Sequence, residues 1–257
     1  MKNEFRGNNS GMIQKTLASE CKGLRKIKVL SGAQLKYIAF ISMVIDHVNQ
    51  ALITPYLSGE GFLLKLSLLF NVLGRIAFPL FALFLVEGFF KTGSRKKYLA
   101  SLLMFAVISE VPFDLFFSAE IFNPRVNNVL FSLAIALVTI WLIDALKGKF
   151  PGGYAVIWYL LSFVIVAASC LATMFLSSDY EYHAILMVYS FYLFYDKPLL
   201  ANLFGYLAIF KEVWSLLGFG LTLTYNGKRG KQYKWLNYMF YPVHLLVIGI
   251  IRLCLNV

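Results

Sequence analysis

Charge is scarce in this sequence. Of 257 residues only 14% are Asp, Glu, Lys or Arg, where water-soluble chains carry about a quarter. Apolar residues make up 59%, and the mean hydropathy is +0.69. That poverty of charge excludes a disordered chain and argues against an ordinary soluble domain. Cysteine is nearly absent: Cys21, Cys170 and Cys254 are far apart and odd in number, which suits neither a disulfide framework nor a thiolate metal site. Histidine is as rare, and His47, His183 and His244 offer no i, i+4 pair, so no metal is expected. The sequence has no GxSxG elbow, no GxxxxGKS or GxxxxGKT loop and no GxGxxG fingerprint. Hydrolase triads and nucleotide-hydrolysing motors lose support accordingly.

What the chain does have is long apolar runs, at about 34–54, 66–90, 98–117, 128–146, 154–176, 182–196, 198–225 and 237–256. A helical crossing takes roughly 20 residues, so the expected fold is all-α, a polytopic membrane helical bundle of about eight to nine transmembrane segments. The run 198–225 is interrupted by Lys211 and Glu212. Two short helices turning there as a hairpin bring Lys228, Arg229, Lys231 and Lys234 to the same side as Lys91, Arg95, Lys96, Lys97, Lys147, Lys149 and Lys197, in keeping with the positive-inside bias. The N-terminus is then cytoplasmic, with Lys65, Arg125, Asp179 and Glu181 on the outer side of the cell membrane. The net charge of +11 reads as this topology signal and as attraction to anionic headgroups, with no nucleic-acid partner. Residues 1–33 form a basic segment, either an amphipathic surface helix or a disordered tail, ahead of an integral membrane domain over 34–257. The first run holds Asp46 and His47 and lacks a small-residue cleavage site, so no cleaved signal peptide is expected.

Ionisable groups at membrane depth carry the chemistry. Each costs roughly 2.5 to 3.5 kcal/mol near a helix centre, against about half a kcal/mol returned by a leucine. At helical rise, Asp46 and His47 lie roughly 18 to 20 Å into the first run and Arg75 roughly 14 Å below the outer end of the second. Glu110 lies roughly 18 Å into the third, with Asp114 one turn beyond. This common level predicts a cluster of Asp46, His47, Arg75 and Glu110. One outcome is a set of ion pairs that fixes helix register, with Arg75 bridging Asp46 and Glu110. The other is a functional site, which His47 favours because an imidazole beside a carboxylate suits a general base. His244, near Tyr238, Tyr241 and Pro242 two to three turns into the last run, fits an interfacial aromatic belt or a ligand contact equally. The loops at 91–97 and 228–234 serve either as topology signals alone or as the grip on a ligand with several phosphates.

The stretches LKYIAFISMVIDH, GRIAFPLFALFLVEGF, FAVISEVPFDL, NVLFSLAIAL, YNGKRG and NYMFYPVHL follow one another across residues 34–256, and together they resemble the TraX family of conjugative-pilin acetylases. The resemblance implies a membrane acyltransferase that takes acetyl groups from cytosolic acetyl-CoA without a metal. The acceptor is then an amine at a pilin N-terminus or a glycan hydroxyl. It implies His47 as general base, Asp46 as its orienting carboxylate and Arg75 as a polar anchor. The coenzyme falls to Arg95, Lys96, Lys97, Lys228, Arg229 and His244, and Glu110, Asp114, Asn128 and Tyr241 are further polar site residues. Two rivals use the same residues. A proton-coupled transporter or flippase would run protons through Asp46, Glu110 and Arg75 and use the 198–225 hairpin as a broken substrate helix, although no internal repeat accompanies it. A noncatalytic scaffold would use the polar groups as packing locks.

Overall fold

A computed structural model describes residues 27–57, 61–149 and 155–255. Residues 1–26, most of the expected surface helix or tail, lie outside the described residues. The described chain runs through α1 (Gly32–Val48), α2 (Phe62–Gly74), α3 (Ala77–Lys91), α4 (Arg95–Ile108), α5 (Glu110–Ser118), α6 (Val129–Lys147), α7 (Ala155–Phe175), α8 (Glu181–Leu193), α9 (Pro198–Leu207), α10 (Ser215–Leu223) and α11 (Lys234–Leu255). Five helical stretches are long and apolar enough to cross a membrane: α1 continued to Tyr56, α2 joined to α3, α6, α7 and α11. Helices α4 and α5 meet the same criterion only as a bent pair, which makes six spans if the pair crosses as one.

The expected eight or nine segments are therefore not all full crossings. The runs at 182–196 and 198–225 supply α8, α9 and α10, of 13, 10 and 9 residues, roughly 14 to 20 Å at helical rise against a hydrocarbon core of about 30 Å. The hairpin is present, since α9 and α10 are separated by a turn that holds Lys211 and Glu212. Helix α8 packs on α3, α6, α7 and α9 and buries His183, Ile185, Met187 and Val188. Helix α8 is thus received by protein, whereas the turn between α9 and α10 leaves Phe210, Val213 and Trp214 exposed.

Prolines break the long helices where polar groups gather. Pro79, in the first turn of α3, denies a hydrogen bond to the Arg75 carbonyl, and the chain breaks at Arg75–Ile76. The Ser42 hydroxyl donates to the Leu73 and Gly74 carbonyls at this break, at 2.7 and 3.1 Å. Pro112 acts likewise on the turn before α5, and α4 meets α5 at a 43° bend. Pro242 interrupts the ladder of α11 two residues before His244. At the far end of α5, the Phe116 and Phe117 carbonyls accept from Arg252 Nη1 at 2.6 Å each.

The main apolar core lies between α3, α6 and α8, with Phe89, Leu137, Ile140, Ile143 and Met187 fully enclosed. Outward-facing side chains such as Phe62, Phe163 and Phe175 are exposed instead, an apolar exterior that suits lipid. The basic loops collect at one end of the bundle. There the segment 224–230 is tied to the start of α1: Leu30 N donates to Thr224 O at 3.0 Å, Gly32 N to Lys228 O at 2.8 Å and Ala33 N to Arg229 O at 2.9 Å. Gly227 and Gly230 supply the left-handed turns this path requires, at φ 77° and 71°.

Candidate active site

A cavity of about 1200 Å³ runs through the bundle, bordered by Lys36, Lys91 and Arg229 at the basic end and by Arg125, Glu181 and Lys211 towards the other. Lys36, Phe40, Met43 and His47 all border it, and their spacing of i, i+4, i+7 and i+11 makes them one stripe of α1.

His47 ends that stripe with its ring against His244 of α11. Nδ1 of His47 lies 2.9 Å from Nε2 of His244, and Nδ1 of His244 lies 2.7 Å from the Phe240 carbonyl. A carbonyl only accepts, so His244 Nδ1 carries the hydrogen. In the neutral pair His244 Nε2 is then an acceptor, and His47 Nδ1 must donate to it. The Nε2 lone pair of His47 is left without a partner in the pair. Both rings are clamped by stacking: Phe40 on Phe240 at 4.0 Å between centroids, Phe240 on His244 at 4.6 Å, and Phe116 beside His47 at 4.6 Å.

Asp46 faces a different neighbour. Arg75 Nη2 donates to its Oδ1 at 3.0 Å and Gln50 Nε2 to its Oδ2 at 2.7 Å. A second carboxylate, Glu212 in the α9–α10 turn, lies 3.6 Å from Arg75 Nη1. The approach of α2 to α1 needs glycine at 74, because a Cβ there would stand 2.6 Å from the Cβ of Asp46.

The α7–α8 loop closes the site from the end opposite the basic loops. Ser177, Tyr180 and Glu181 hold positive φ of 44°, 62° and 37°, a strained backbone for side-chain-bearing residues. It is held by the Ser132 hydroxyl, 2.8 Å from that of Ser178, and by Tyr180 stacked on Phe78 at 3.7 Å. Asp179, outside the spanning helices, has its carboxyl pushed up to about 6 by burial, against the Tyr180 amide that donates to it at 2.9 Å.

The expected site thus divides. Asp46, His47 and Arg75 meet at one level and border the cavity, as do Tyr241 and Arg229. Asp46 does not orient His47; it makes its hydrogen bonds to Arg75 and Gln50, and His244 takes the orienting position. His244 accordingly stands with His47 and not among the basic loops. Glu110 does not reach Arg75: it accepts from the buried Asn128 amide, which also caps α6. Asp114 accepts from the Asn123 amide at 3.0 Å, away from the cavity. Arg95 pairs with Asp144 at 2.7 Å and covers the Phe89 ring at 3.9 Å, while Lys96, Lys97 and Lys228 are exposed and do not border the cavity. Sequence reasoning missed Lys36, Gln50, Tyr180 and Glu212 as site neighbours. Among the described residues no cluster of three or more His, Cys, Asp or Glu side chains is placed to hold a metal.

Two comparisons bear on identity. The chain is 30% identical to the "Probable fimbrial assembly protein FimC, serogroup H1" of Dichelobacter nodosus, over 85% of this chain and 94% of that protein. No solved structure matches. Residues 31–252 match the family described as TraX protein, and they include the cavity, the His47–His244 pair and the Asp46–Arg75 pair: the chain belongs to the TraX family.

Proposed function

We propose that this protein is a membrane acetyltransferase that moves an acetyl group from acetyl-CoA, entering at the basic and cytosolic end of the cavity, to an amine of a pilin subunit. The observation that carries this reading is the unpartnered Nε2 of His47, held by His244 inside a membrane-embedded cavity. The family match and the fimbrial assembly relative support the choice of acceptor, and a glycan hydroxyl would use the same chemistry.

The acceptor nitrogen attacks the thioester carbonyl carbon, and His47 Nε2 takes the proton that the nitrogen sheds. The carbonyl electrons move to oxygen beside Arg75, whose Nε hydrogen is buried without a partner; such a donor is worth a few kcal/mol to a developing oxyanion in a dry site. Collapse breaks the carbon–sulfur bond, and the coenzyme thiolate leaves with the proton from His47. His244 keeps the ring in the tautomer that frees Nε2 and shares the charge while His47 is protonated.

Incubation of the purified protein with labelled acetyl-CoA and a pilin-derived peptide tests this. Transfer by the wild type and a fall of about a hundredfold or more in His47→Ala are expected. Undiminished transfer by His47→Ala overturns the base assignment. Coenzyme-independent proton uptake by proteoliposomes, with no acyl transfer, identifies a transporter instead.

A further inference from the structure

Lys36 and Arg229 stand together at the basic mouth of the cavity, bridged by Gln232, which accepts from Lys36 Nζ at 3.2 Å and donates to the Arg229 carbonyl at 3.0 Å. Two cations brought together from distant parts of the chain usually share a carboxylate. Here neither makes an ion pair among the described residues. The partners of Lys36 are neutral: Gln232 Oε1 at 3.2 Å and the face of Phe84 at 5.3 Å. The nearby carboxylate of Glu87 is already occupied by the Tyr225 hydroxyl at 2.6 Å, by the Tyr195 hydroxyl and by Lys91. Lys91 is thereby neutralised, and its amine also donates to the Gly227 carbonyl at 3.1 Å. The backbone of Arg229 is kept beside Lys36, because its own carbonyl and that of Lys228 are tied to the first turn of α1.

Repulsion between neighbouring like charges, here a partly buried Lys36 and an exposed Arg229, is relieved by an anion lying between them, and phosphate suits a guanidinium and an ammonium together. The stripe on α1 adds a length. Lys36 and His47 are eleven residues apart on one helix face, about 16 Å at helical rise. A ligand that reaches both has a phosphate-bearing head and a slender arm of that reach ending in its reactive group, and the walls between, Phe40 and Met43, are apolar.

From this geometry we propose that Lys36 and Arg229 form the phosphate subsite for the acyl donor, with the donor's arm lying along α1, and that Arg95, Lys96, Lys97 and Lys228 take no direct part. The proposal rests on the acyltransferase reading and specifies where its donor is held. A lipid headgroup offers the same phosphate chemistry, so the test separates the two sources.

Coenzyme A binding is measured by calorimetry on the full chain in nanodiscs of zwitterionic lipid, with pantetheine as the phosphate-free probe. The double variant Lys36→Met/Arg229→Gln is expected to weaken coenzyme A by about tenfold or more and to leave pantetheine unchanged. Lys96→Gln/Lys97→Gln is expected to stay within about twofold of the wild type for both. Equal coenzyme affinity in the double variant and the wild type overturns the subsite and leaves the acyltransferase reading intact. An equal loss of coenzyme A and pantetheine also overturns it, since the phosphates then contribute nothing. A wild type that binds neither compound overturns both readings. Stabilisation by phosphatidylglycerol that vanishes in the double variant, with no response to coenzyme A, reassigns the cations to lipid and overturns the proposal.

Discussion

As the proposed base, His47 differs from the histidine of a Ser-His-Asp triad in what holds it: a neutral imidazole, itself hydrogen-bonded to a backbone carbonyl, replaces the carboxylate. A neutral acceptor fixes the tautomer but gives less to the imidazolium than a full negative charge. His244→Ala should therefore lower kcat by about a hundredfold while leaving KM near the wild-type value. His244→Gln, whose amide oxygen can still accept from His47 Nδ1, should recover part of the loss, and steady-state kinetics of both variants checks this. Equal damage by both would assign His244 to packing alone. The Asp46–Arg75 pair depends on the missing side chain at 74. Gly74→Ala should drive Asp46 out of reach of Arg75 and leave a charge poorly compensated at depth, with thermal unfolding lowered by several degrees. Depth counted along the sequence was enough to place Asp46, His47 and Arg75 together, because helical rise is regular. It gave no information on azimuth, which is why Glu110, at a similar level, faces Asn128 instead.

Among the elements, α5 and α11 do most to set the distance between the two histidines, since α11 carries His244 and α5 brings Phe116 against His47. Their contact at Gly249, where an added Cβ would meet Leu115 at 2.8 Å, leaves no room for a larger residue. Gly249→Leu should push α11 away and abolish most transfer without removing any site residue; crosslinking between cysteines placed on the two helices reports the separation. The α7–α8 loop adds a pH response. The carboxyl of Asp179 titrates at about 6 in the folded protein against 3.8 unperturbed. Folding therefore meets a penalty that begins as pH rises past the unfolded value and is complete above the folded one. Asp179→Asn should raise the melting temperature near neutral pH and have little effect near pH 4, as a pH series of melting curves on both proteins would show. An effect of opposite sign would mean that the Tyr180 amide and the neighbouring Arg75 charge outweigh burial. None of this loop's inward course was legible from the sequence, because nothing in SSDYEYH marks three left-handed residues without glycine.

At the scale of the whole molecule, charge is sorted by end. Lys36, Lys91 and Arg229 stand at one mouth, with Lys228 and Lys231 exposed in the loop beside them, and Arg125, Glu181 and Lys211 stand towards the other. If the basic end faces the cytosol, single cysteines in a cysteine-free background should react with an impermeant maleimide on intact cells at Lys211→Cys and not at Lys231→Cys. The reverse pattern would invert the topology. The hairpin at Lys211 and Glu212 and its two short helices were readable from this charge sorting, whereas the burial of α8 among other helices was not, since an apolar composition does not say whether lipid or protein receives it. The single stripe of α1 has one more consequence. An extra residue inserted between Lys36 and His47 would swing the imidazole about 100° around the axis and out of the passage, an error no side-chain adjustment could repair. The first helix thus acts as a gauge of fixed graduation, able to exchange its residues but not to change their number.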